Sequence, residues 1–145
     1  MKNSVGEMAQ NYFKEGYSCA EAVLKSVAEA KGIDSPLIPK IATAFGSGLS
    51  ATDGTCGALS GGYLALSMYQ GRVCPTDERS ILYGNVAKLK AQFQSSFKTT
   101  ECSALLGFSL SEPNAGEKFQ AGNCKEGKCV YFVENVANEV MKMLS

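Results

Sequence analysis

The run from about residue 77 to 98 constrains this chain more than any other stretch. Leu82, Val86, Leu89, Phe93 and Phe97 recur at intervals of four, three, four and four residues, which gathers them on one face of an α-helix. A strand would instead need apolar residues at every second position. No alternating run of useful length occurs anywhere in the 145 residues. A helix with a single apolar face must bury it against something, so further amphipathic helices are expected elsewhere.

The sequence supplies them. Residues 4–15 predict a first helix stopped by Gly16. Ser18 opens a second as a capping box, with Glu21 three residues after the cap. Cys19, Val23, Val27 and Ala30 form the apolar stripe of that helix, and Gly32 ends it. Ser35-Pro36 begins a segment helical to about Phe45, with Pro in the first turn, where its missing N–H costs nothing. The loop GSGLSATDG follows, and Thr55 is then expected to cap a helix from Cys56 to about Gln70 that ends at Gly71. Thr100 is expected to cap a short turn through Cys102 to Leu106, stopped at Gly107. Residues 108–127 read as a long loop with at most one helical turn. A last helix from about Lys128 to Leu144 carries Cys129, Val133, Val136 and Val140 on one face. The expectation is an all-α, single-domain helical bundle of about five to seven helices spanning residues 1–145.

Charge and composition then narrow the chemistry. Fourteen basic residues balance fourteen acidic ones, so the chain carries no electrostatic footprint for nucleic acid or an anionic membrane surface. MKNSVGEMAQ lacks the apolar core of a secretory signal, and the stretch GALSGGYLALSMY is too short and polar to span a bilayer. A cytoplasmic protein is expected. It contains no histidine and six cysteines. The first fact removes Ser-His and Cys-His nucleophile pairs and mixed Cys/His metal sites. The second points, in a reducing compartment, to metal or redox work more than to a disulfide scaffold.

Four cysteines share a predicted setting. Cys19, Cys56, Cys102 and Cys129 each fall in the first turn of an expected helix, where unpaired N–H groups and the helix dipole favour a thiolate. Cys74, in a Val-Cys-Pro link, and Cys124, in a Gly-Asn-Cys-Lys loop, lack that setting; Cys124 is a candidate exchange partner for Cys129. Tyr17, Tyr63 and Tyr131 each lie near one of the four, with packing as the expected role. Gly46-Ser47-Gly48 follows a helix rather than a strand, so it does not make a dinucleotide fingerprint.

The strings that hold these cysteines resemble a known family. CGALSG (56–61) matches the CGAxxG signature of the C_GCAxxG_C_C family of putative redox-active proteins. GYSCAEAVL (16–24), ECSALLGF (101–108) and KCVYFVENV (128–136) are similar to its other three cysteine motifs, in the same order. The resemblance implies Cys19, Cys56, Cys102 and Cys129 as the family's four cysteines, and redox activity as its business. That family is itself similar to part of a multihaem cytochrome type associated with an iron–sulfur centre. No C-x-x-C-H stretch exists here, so haem does not carry over.

Four readings remain open on the sequence. The first is an iron–sulfur cluster ligated by Cys19, Cys56, Cys102 and Cys129, serving as an electron-transfer component or oxidoreductase. Gly54, Thr55, Gly57 and Gly61 would let backbone approach such a cofactor. The second is a metal-free thiol–disulfide relay, in which the same four cysteines are the redox thiols. A four-thiolate zinc site is the third, and a helical interaction module with cysteines in its core is the fourth. The redox partner protein is unidentified, and a homodimer is compatible with each reading.

Overall fold

The computed structural model describes residues 4–145, so the first three residues of MKNSVGEMAQ lie outside it. Ser4 caps α1 (Val5–Glu15), its hydroxyl accepting the Glu7 N–H at 3.1 Å. Gly16, left-handed at φ 117°, closes the helix by donating to the carbonyls of Phe13 and Tyr12. The capping box of α2 (Cys19–Ala30) is present in both halves. The Glu21 N–H reaches the Ser18 hydroxyl at 3.2 Å, and the Ser18 N–H reaches the Glu21 carboxylate at 2.9 Å.

α2 is the centre of the molecule. Ala20, Ala22, Val23, Leu24 and Val27 are fully buried, and the helix packs on α1, on α4 (Gly57–Gln70) and on α8 (Val130–Leu144). α8 presents Val133, Val136, Ala137 and Val140 to the same core. The stripe of α5 (Ser80–Phe97) behaves as its spacing predicts, with Leu89 and Phe93 buried and Leu82, Val86 and Phe97 packed at the margin. α6 (Cys102–Leu106) ends at left-handed Gly107. Eight α-helices, one 3₁₀ helix and one π-helical turn are described, and the described residues contain no strand. No described helix is long and apolar enough to cross a membrane.

Four local expectations need correction. The segment after Ser35-Pro36 is not an α-helix: residues 36–39 turn, and Lys40–Phe45 is a 3₁₀ helix. Pro39 removes a donor and restricts Ile38 before it, so no α turn can start earlier. The GSGLSATDG loop begins as a left-handed turn, α3 (Gly46–Ala51), with φ between 56° and 67° from Ser47 to Ala51. Residues 108–127 hold a helix, α7 (Ala115–Ala121), and a π-helical turn, Lys125–Cys129, runs straight into α8.

The fourth correction concerns Thr55 and Thr100, which do not cap helices. Thr55 instead pairs with Glu101 in an isolated antiparallel bridge. The Cys56 N–H donates to the Thr100 carbonyl at 2.7 Å, and the Cys102 N–H donates to the Gly54 carbonyl at 3.1 Å. Buried backbone must find partners, and here two chain segments far apart in sequence satisfy each other.

Candidate functional site

That bridge fixes Cys56 and Cys102 side by side at the starts of α4 and α6. Cys19 is the first residue of α2, delivered by its capping box. Cys129 arrives from the fourth side, as the last residue of the π turn before α8. All four thiols line one cavity of about 90 Å³. Ser18, Ser47 and Gly57 complete its polar and backbone wall; Phe13, Leu105, Leu106, Leu110, Phe119 and Phe132 form the rest. No charged side chain lines it. A space of that size admits several water-sized groups.

Close approach is built into the wall. A Cβ on Gly57 would lie 2.4 Å from the Cys19 sulfur and 3.0 Å from the Phe45 carbonyl oxygen. Gly48, in the left-handed turn at φ 67°, faces Cys102 so tightly that a Cβ would sit 2.5 Å from its Cβ and 3.1 Å from its sulfur. The turn is expensive for its non-glycine members, since left-handed backbone costs about 1–2 kcal/mol per L-residue. Its own bonds hold it: the Ser50 hydroxyl donates to the Ala44 carbonyl at 2.8 Å, and the Gly54 N–H donates to the Gly48 carbonyl at 2.8 Å. Strain of this kind collects at functional sites, and here its first residue, Ser47, lies on the cavity wall.

The electrostatics reverse a sequence-based expectation. Burial is the largest influence on all four thiols, and it pushes each of them up. Cys102 is raised to about 11 and Cys129 to about 12, with Cys19 as a nearby like-charged group adding to both. Cys56 is raised well above its ordinary value by burial and by Cys19. Backbone N–H groups of Ser47, Ala20 and Ala58 favour the Cys19 thiolate, and those of Leu59 and Ala58 favour the Cys56 thiolate, but burial outweighs them. The helix-terminus argument held for the location of Cys19, Cys56 and Cys102 and failed for magnitude, because a first-turn dipole is worth less than removing a charge from water. Cys129 also departs from the pattern of location, because the π turn continues the helix upstream of it and leaves no free N-terminus there.

The remaining candidates divide. Gly57 lines the cavity, whereas Gly54, Thr55 and Gly61 do not. Gly54 packs on Leu49, Thr55 makes the bridge, and Gly61 lets α4 cross α2 against Ala20, where a Cβ would fall 2.6 Å from the Ala20 carbonyl oxygen. Cys74 is exposed in the link before α5, bonded to Asp77 and Thr76. Cys124 is 1% exposed and near enough to Cys102 and Cys129 to raise both; its loop-like sequence gave no sign of this burial. Sequence reasoning also missed Phe13, Phe119 and Phe132. Phe13 and Phe132 fall inside expected helices, which marks core in general, and Phe119 falls in the stretch read as loop, so it carried no signal. Tyr131 is exposed, and Tyr17 and Tyr63 pack at the core margin.

No curated protein and no solved structure matches the chain. A family model described as "Putative redox-active protein (C_GCAxxG_C_C)" matches residues 17–143, which takes in all four cavity cysteines. By that match the chain belongs to the C_GCAxxG_C_C family of putative redox-active proteins.

Proposed function

We propose that this protein binds an iron–sulfur cluster through Cys19, Cys56, Cys102 and Cys129 and works in electron transfer. The observation that carries the reading is the cavity wall itself: four thiols from four separate segments and no carboxylate, lysine or other charged group. Such a wall has no general acid or base to offer. It offers soft sulfur ligands in a space that Phe13, Phe119, Phe132, Leu105, Leu106 and Leu110 keep apolar. Cluster binding would supply one-electron chemistry at this position.

One further observation bears on the choice between a metal centre and a thiol relay. Burial keeps these thiols protonated at neutral pH, which disfavours a metal-free relay that depends on thiolates. A metal ion displaces the proton from a coordinating thiol outright, so thiols that are protonated in the metal-free chain can still serve as ligands. Among the described residues, no group of three or more His, Cys, Asp or Glu side chains is placed to hold a metal ion.

The chain's own groups then have definite tasks. The four sulfurs hold the group. The N–H groups of Ser47, Ala20, Ala58 and Leu59 favour negative charge on Cys19 and Cys56, which stabilises the more reduced state and tunes its potential. The apolar side chains limit water. A cytoplasmic place and a protein redox partner belong to the same reading. Anaerobic purification followed by iron and acid-labile sulfide analysis tests it. Both elements are expected in the purified protein, and the absence of both would overturn the proposal.

A further inference from the structure

We infer that residues 108–122 form a hinged lid over the four-cysteine cavity, whose opening controls access to the thiols. The segment is long, yet Ala115 is its one buried residue. Its inner surface contributes Leu110 and Phe119 to the cavity wall, which Phe13 and Phe132 also line. Part of the cavity wall is therefore supplied by two apolar side chains from a segment with almost no core of its own. Segments with few buried contacts open at low free energy.

Both ends of the segment are marked by backbone in the left-handed region. Gly107 stands at φ 88° and Asn123 at φ 50°. Outside them the chain is anchored. Leu106 is buried on one side and Cys124 on the other, and the Lys128 ammonium holds the Leu105 and Leu106 carbonyls at 3.3 and 3.2 Å. Between the hinges the segment is tied to itself. Lys118 pairs with Glu112 at 2.5 Å and lies over the Phe108 ring at 5.9 Å. It is therefore built to move as one body.

One polar bond joins the lid to the wall on the far side. The Ser109 hydroxyl donates to the Asp53 carboxylate at 2.5 Å, and Asp53 lies two residues after the left-handed turn, whose Gly48 packs on Cys102. Ser109 acts as a latch and Phe119 as a plug. Any group that enters the cavity, whether iron and sulfide or a thiol reagent, passes when both release. The inference stands whether or not the cavity holds a cluster.

Maleimide labelling of the full-length chain, reduced and stripped of metal, tests the lid. Each thiol is followed by mass spectrometry, and Cys74, already exposed, serves as the internal reference. Comparing the same thiol between variants cancels its intrinsic reactivity. Phe119→Ala is expected to speed labelling of Cys56 about tenfold, and Ser109→Ala about threefold, by weakening the closed state. Cys74 should be unchanged in both. Hydrogen exchange of α2 and α8 amides, recorded in parallel, should stay slow. Unchanged Cys56 labelling in both variants would overturn the lid. So would acceleration that appears only together with faster exchange in α2 and α8, since that reports general unfolding.

Discussion

Gly57 shows how a single residue sets the cavity. Its missing side chain is the space that the Cys19 sulfur occupies, and the Phe45 carbonyl closes the other side. Gly57→Ala should therefore lower stability by about 1–3 kcal/mol through overpacking, read as a lower urea midpoint. An unchanged midpoint would mean that the sulfur can move away freely. The thiols make a second prediction at this scale. Cys102 at about 11 and Cys129 at about 12 keep their protons at pH values where the unfolded chain, near 9, has lost them. A raised thiol pKa means that the folded state binds the proton more tightly, so its contribution is complete below about pH 9 and disappears as pH rises toward 11–12. The metal-free chain should lose urea resistance between about pH 8 and about pH 10.5 more steeply than a Cys102→Ser/Cys129→Ser variant. Equal slopes would contradict the burial of these thiols. The four cysteines were legible in the sequence from their expected place in the first turns of helices and from the family motifs that hold them. Their protonation was not, because burial comes from residues far along the chain.

Elements were legible where their signals are local. The Ser18–Glu21 box, the α5 stripe and the stops at Gly16 and Gly107 all lie within a few residues of what they control. The bridge between Thr55 and Glu101 is a different case: each strand-like residue pairs with one far away, and Thr55 and Thr100 taken alone imitate caps. The left-handed turn was hidden for a related reason, since Ser47, Leu49, Ser50 and Ala51 carry no preference for it. It is held by bonds to Ala44 and Gly54. Helix packing makes an opposed pair of predictions. Gly61→Ala would drive a Cβ to 2.6 Å from the Ala20 carbonyl oxygen at the α2–α4 crossing, and should destabilise by about 1–3 kcal/mol. Gly84, in α5, has open space around it, so Gly84→Ala should stabilise by about 0.5–1 kcal/mol through helix propensity. Thermal or urea denaturation of the two variants reads both signs, and a shared sign would contradict the described crossing.

At the scale of the whole molecule, the bundle matters because it turns four scattered motifs into one wall. α2, α4, α6 and the π turn before α8 each contribute one thiol, and residues 108–122 cover them. The helical class was readable from periodicity; the meeting of Cys19, Cys56, Cys102 and Cys129 was readable only as a question. The burial of Cys124 close behind them was not readable at all, because a Gly-Asn-Cys-Lys stretch resembles an exposed loop. These placements yield a site-specific test of the cluster reading. After anaerobic reconstitution with iron and sulfide, bound iron would be measured in single Ser variants of all six cysteines. The account predicts that replacing Cys19, Cys56, Cys102 or Cys129 removes most of the bound iron and its visible charge-transfer absorption, while Cys74→Ser retains both. Iron bound equally by all six variants, or by none and not by the unsubstituted chain, would contradict it.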